Sequence, residues 1–354
     1  MATYILDITL GYQCNFRCKY CFEQKSSIAY TKTEYSEKVF NRTIEYIDYL
    51  LNNVFNKHDK LCITFYGGEP LLYIDTILKY TTTLKGKIYK YNIVTNGYLV
   101  DKYIDKLLFI RSSGCSLKIN VSYDYILQNK NRQDYTYNKV RNNIKLLHNN
   151  GFKCNTITVF PYEDLKYFDQ VFIDCLELQK ELPKLHSFFN VDRSKTSGTS
   201  FNEEECIYGF KKVQEYLSKN NLDNCLMYNG RCGNRNDREK LCMTGNVYAS
   251  IDIDGNIYPT YNVIFTRPEI QKLMCYGSIF DNFDNITIYR NNLLNNLNFT
   301  LPDKCLHCNT PCRVFPWSTI KTDISEFNGL PSEEHCNVHK FINKYLGCNC
   351  HVSN

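Results

Sequence analysis

Short β-type runs alternate with amphipathic helical stretches along the first 195 residues, and nothing else in the chain constrains its fold as much. The β-type runs cover residues 4–10, 61–66, 91–94, 117–122, 153–160 and 185–191. Apolar residues recur at helical spacing in 35–53, 72–84, 100–109, 137–149 and 164–178. Strands joined by helices pair in parallel, because each crossover returns the chain to the same end of the sheet. Six such units are too few for a closed barrel of eight, so an α/β fold with a partial (β/α)6 TIM-like barrel is expected over 1–195. Gly151, after His148-Asn149-Asn150, supplies the positive φ that ends a helix.

Asp192 to Ser200 is rich in Ser, Thr and Gly and reads as a linker, followed by a helix at 203–219. Together these make 196–240 a connecting segment. Residues 241–354 differ in character, being poor in strands and rich in Cys, Asn and Pro. They are expected to form a small Cys-rich domain with a hairpin turning at Asp254-Gly255. The first strand starts within a few residues of Met1, which leaves no room for an N-terminal leader-binding domain.

Net charge is +5, with Lys and Arg interspersed among Asp and Glu, so neither nucleic acid nor a membrane surface is an expected partner. No basic, apolar signal precedes the first strand, and no run approaches the ~20 apolar residues of a membrane span. A cytoplasmic location follows. In that compartment 18 cysteines are not a disulfide framework, and clustered thiols point to metal. Cys62, Cys115, Cys154 and Cys175, each alone in an apolar segment, read as small buried hydrophobes.

Cys14, Cys18 and Cys21 read CxxxCxxC in the loop after the first strand. Three thiolates can hold three irons of a [4Fe–4S] cluster and leave the fourth iron open, the mark of a catalytic centre. A zinc or closed cluster site completed by a distant cysteine is the alternative. With Tyr20 at the aromatic position, the loop resembles the signature of the radical S-adenosylmethionine (SAM) superfamily. The resemblance implies that the open iron chelates SAM and that an electron from the cluster releases a 5′-deoxyadenosyl radical.

Gly67-Gly68-Glu69 follows the second β-run and resembles that family's motif for the methionyl amine. Asn96 and Ser122 end the third and fourth runs, where the family places polar residues facing the ribose and carboxylate. All of these lie at the C-terminal ends of strands, where α/β barrels build their sites.

Cys305, Cys308, Cys312 and Cys336 form a second group, a closed set suited to one auxiliary [4Fe–4S] cluster, or to zinc. This tail resembles the SPASM extension of peptide-modifying radical SAM enzymes, with a twitch-like, shortened domain as its nearest form. Cys242 and Gly255-Asn-Ile-Tyr-Pro match the opening of that pattern, but Thr260 stands where a cysteine belongs. The inner auxiliary cluster is therefore lost or rebuilt from Cys225, Cys232, Cys242 or Cys275. Anaerobic sulfatase maturation would want an Asp at position 261. Tyr261 occupies it and becomes the candidate hydrogen donor. The resemblance implies a maturase acting on a ribosomally made peptide or protein by crosslinking, epimerisation or side-chain oxidation, with flavodoxin or ferredoxin as reductant. A radical dehydrogenase for a small molecule and a non-catalytic iron–sulfur sensor are the alternatives.

Overall fold

A computed structural model describes residues 1–25, 35–192, 200–220, 247–265, 268–296 and 333–346. Six parallel strands, β1 (Thr3–Thr9), β2 (Lys60–Tyr66), β3 (Lys90–Thr95), β4 (Leu117–Ser122), β5 (Lys153–Phe160) and β6 (His186–Val191), carry the barrel. The crossovers contain α1 (Glu37–Tyr49), α2 (Ile74–Thr83), α3 (Val100–Ser112), the short α4 (Gln128–Asn131), α5 (Tyr137–Asn149) and α6 (Phe168–Glu181). α7 (Glu203–Lys219) follows, and its N-cap Asn202 accepts from the Glu204 amide. The strand and helix expectations hold to within a few residues. The helical pattern that runs on to residue 53 does so as a wider π turn, Leu50–Val54, beyond the end of α1.

The sheet runs β6-β5-β4-β3-β2-β1-β7-β8-β9 and does not close. β7 (Val247–Ile251) and β8 (Asn256–Tyr258) form the hairpin expected around Asp254-Gly255. Gly255 sits there at φ +87°, and Asp252 Oδ1 accepts from the amides of Asp254 and Asn256. The hairpin lies on the barrel sheet itself: β7 pairs in parallel with β1, and β8 pairs antiparallel with β9 (Gly277–Ser278). The physical reason is that β1 would otherwise be an edge with unpaired backbone groups, and β7 satisfies them.

Residues alternate between the two faces of the sheet. Leu6, Ile63, Phe65, Ile93, Ile119 and Val121 belong to one apolar core with residues of the crossover helices. Cys115, Cys154 and Cys175 join that core, and Cys62 is also buried. The opposite row is polar, with Asp7, Thr64, Asn92, Asn120 and Asn155 on β1 to β5. Asn92, Asn120 and Ser122 are half-exposed, so the concave face is a trough rather than the packed interior of a closed barrel.

Beyond the sheet lie α8 (Pro268–Met274), α9 (Phe283–Asn296) and α10 (Glu333–Leu346). α10 packs on α7, with Phe210 edge-on to Phe341 at 4.9 Å. Cys305, Cys308 and Cys312, and also Cys225, Cys232 and Cys242, lie outside the described residues. Cys336 is on α10, with its side chain outside them. Among the described residues no helix is long and apolar enough to cross a membrane.

Candidate active site

The CxxxCxxC loop follows β1, and three strand ends grip it. The β2 end does so through backbone: the Gly68 amide donates to Gly11 O at 3.0 Å and the Glu69 amide to Gln13 O at 2.9 Å. The two glycines are required by this approach. A Cβ on Gly67 would lie 2.4 Å from Gly11 O, and one on Gly68 2.4 Å from Gln13 O. Gly67 also holds φ +146°.

The β3 end contributes Asn96, whose amide donates to Asn15 Oδ1 at 2.8 Å and approaches Cys14 Sγ at 4.0 Å. Glu69 ties the β2 and β3 ends together. Its fully buried carboxylate accepts from Thr95 Oγ1 at 2.6 Å, the Asn96 amide at 2.7 Å and the Leu71 amide at 2.9 Å. Three of its lone-pair sites are thus engaged by protein donors, and burial raises its pKa. Residues expected around the methionyl amine and the ribose therefore also hold the cysteine loop in place.

The β4 end supplies a grip that sequence reasoning missed. Asp124, fully buried, accepts from the Tyr20 hydroxyl at 2.5 Å and from Arg132 Nη2 at 3.3 Å, with Arg132 Nε 3.1 Å away. Arg132 also stands 5.2 Å from the Tyr20 ring centre, and the Lys19 amide donates to Asn131 O at 2.8 Å. Desolvation is the largest influence on Arg132 and works against its charge, and Asp124 together with Tyr20 and Cys18 outweighs it. Ser122 is half-exposed on the concave face just before this segment.

Cys14, Cys18 and Cys21 are part-exposed, in contrast to Cys62, Cys115, Cys154, Cys175 and Cys206, which are the buried cysteines among the described residues. Cys14 Sγ accepts from the Phe16 amide at 3.4 Å. Burial pushes the Cys14 thiol well up, and the Cys18 thiol up to about 12 against the opposing pull of Arg132. Such thiols become thiolates when a metal ion takes the place of their protons, which are released. Among the described residues no three Cys, His, Asp or Glu could hold one metal ion together. Thiolates that each bind a separate iron, as in a [4Fe–4S] cluster, need no such convergence.

Tyr261 begins a 3-10 turn (Tyr261–Phe265) and is brought to the same loop. Its hydroxyl donates to Glu23 Oε1 and lies 3.4 Å from Gly67 O, and its ring stacks on Tyr66 at 4.3 Å. Glu23, two residues past Cys21, is buried, and burial raises its carboxyl to about 8. The acidic side chain that the chain lacks at position 261 is thus supplied beside it as a carboxyl group, from a residue 238 positions away.

Fold and site define an iron–sulfur protein built on a partial α/β barrel. Residues 8–175 match the Radical SAM superfamily, and the chain carries a radical SAM domain. A cysteine-type anaerobic sulfatase-maturating enzyme of Clostridium novyi is 22% identical over 338 residues, 84% of this chain and 82% of that protein. The radical SAM cyclopropyl synthase TigE of Paramaledivibacter caminithermalis is 26% identical over 185 residues, 48% of this chain and only 38% of TigE. The solved structure of anSMEcpe with bound AdoMet and Cp18Cys peptide superposes with a TM-score of 0.66 at 18% identity, covering 97% of this chain and 96% of that one. Streptococcus suis SuiB bound to S-adenosylmethionine gives 0.58 at 16% identity, over 87% and 69%. The matched segment is just under half of the chain, and the radical SAM family it represents implies a [4Fe–4S] cluster and SAM.

Proposed function

We propose that this enzyme modifies a ribosomally synthesised peptide or protein by crosslinking, epimerisation or side-chain oxidation. The observation that carries the reading is the polar concave face below the cysteine loop, half-exposed at Asn92, Asn120 and Ser122 on β3 and β4. The end-to-end likeness to a peptide-bound sulfatase-maturating enzyme supports it.

Cys14, Cys18 and Cys21 hold the cluster, with Tyr20, Gly67, Gly68, Glu69, Asn96 and Ser122 around SAM. Cys305, Cys308, Cys312 and Cys336 hold one auxiliary [4Fe–4S] cluster, flavodoxin or ferredoxin supplies electrons, and the reaction runs in the cytoplasm. When bound, the cluster and SAM together supply the radical that abstracts a substrate hydrogen. The chain's part is positional. The three strand ends fix the loop, Glu69 locks the β2 and β3 ends, and Tyr261 presents a buried hydroxyl, hydrogen-bonded to Glu23, as hydrogen donor.

Two measurements test this. Anaerobically reconstituted protein with dithionite releases 5′-deoxyadenosine from SAM, and replacing Cys14, Cys18 and Cys21 by Ala abolishes that release. Co-expression with short open reading frames encoded nearby gives a peptide that has lost two hydrogens or carries a D-residue. Protein that binds iron but never cleaves SAM would be a sensor, and the proposal would be wrong. A product found only on a small molecule would replace the peptide with that substrate.

A further inference from the structure

The trough has a second chemical feature at its other end. Lys60, Lys90 and Lys153 are the first residues of β2, β3 and β5, and Lys118 is the second residue of β4. Their neighbours Leu61, Tyr91, Leu117 and Cys154 are buried in the helix-side core. Alternation therefore sets all four lysines on the concave row, at the N-terminal ends of adjacent strands.

Their arrangement is electrostatically unfavourable. Lys118 and Lys153 are direct cross-strand partners, and Lys118 is also paired with Asn92, two residues beyond Lys90. Like charges placed opposite each other destabilise a sheet. Several lysines of the outer surface are placed differently: Lys79, Lys87, Lys106 and Lys139 each meet a carboxylate. Among the described residues, none of the four belt lysines does. Lys118 is half-buried, and with the Asn155 amide turned so that its oxygen faces the lysine, the ammonium donates to it at 2.6 Å, a neutral anchor. Lys60 rests on the Tyr89 ring at 4.0 Å. Local conflicts of this kind are kept where function needs them.

We propose that this belt binds carboxylates of an acidic segment of the peptide substrate. The inference rests on the peptide reading above and adds the class of sequence recognised. From Lys118 to Ser122 is four residues of strand, about 13 Å. An extended peptide covers that distance in about four residues. An Asp or Glu at that remove from the modified residue would seat on the belt while the target residue reaches the cysteine loop.

The test uses the full-length reconstituted protein and fluorescence anisotropy. The probes are a fluorescein-labelled Gly-Glu repeat peptide and its Gly-Gln counterpart, with inorganic pyrophosphate as competitor. The Glu peptide is expected to bind at least about tenfold more tightly than the Gln peptide, with the advantage shrinking as salt rises. Lys118→Gln should remove most of that advantage. Lys153→Gln, at an exposed position, should reduce it severalfold without a folding risk. Equal binding of both peptides, or a Glu peptide indifferent to both substitutions, would overturn the belt while leaving the peptide reading standing. Lysine-dependent binding of pyrophosphate with neither peptide bound would overturn both and point to a phosphorylated small molecule.

Discussion

Replacing Asp124 by Asn separates the buried grip on Tyr20 from the motif cysteines themselves. The amide keeps the shape and one acceptor but removes the charge facing Arg132, whose side chain is only 6% exposed. Breaking one partner of a buried ion pair leaves the other charge uncompensated and costs about 3–5 kcal/mol. The Tyr20 hydroxyl, donating to that carboxylate at 2.5 Å, loses a charged acceptor as well. With a urea slope of about 3 kcal/mol/M, the unfolding midpoint of the apoprotein should fall by about 1–1.7 M. Reconstituted Asp124→Asn should also retain less iron, because Tyr20 sits between Cys18 and Cys21. The double variant Asp124→Asn/Arg132→Met removes both charges and should recover a large part of the loss. A midpoint shift below about 0.3 M, or a double variant that merely adds the two single losses, would refute the reasoning.

Two other perturbations follow from the same geometry. Burial lifts the Asp7 carboxyl from 3.8 to about 7, opposed by hydrogen bonds from Ser250 and Thr64. The folded state therefore binds a proton that the unfolded state has released, and stability contributed below pH 3.8 is lost as pH rises through about 7, on the order of 4 kcal/mol in full. Asp7→Asn should flatten this slope and make the protein more stable than the parent at pH 8; an unchanged slope in denaturant titrations at pH 5 and 8 would count against it. Gly68→Ala places a methyl 2.4 Å from Gln13 O and 2.5 Å from Tyr12 O, so the β2 turn must separate from the cysteine loop. Destabilisation of about 1–3 kcal/mol with poor iron retention is expected, and an iron content equal to the parent's would show that the close packing is dispensable.

Much of the fold could be read from periodicity alone. Runs such as 117–122 and 153–160 coincide with β4 and β5, because alternating burial on a strand leaves a direct imprint on residue order. The cysteine loop and Gly67-Gly68-Glu69 were equally visible, since chemistry concentrated within a few neighbouring residues survives in a linear text. Nothing in the residue order linked Asp124 to Tyr20 or Arg132, and Glu23 had nothing to link it to Tyr261.

By itself, then, the order of residues determined the βα alternation and a three-thiol loop after the first strand, both of which depend on local spacing. Tertiary structure decided that the Asp254-Gly255 hairpin would complete the barrel sheet against β1, and that Glu23 would meet the Tyr261 hydroxyl. It also set Lys118 opposite Lys153 and brought Lys90 onto the same concave face. These pairings depend on strand register and on where a crossover returns the chain, quantities set by packing over long separations rather than by any short stretch of sequence.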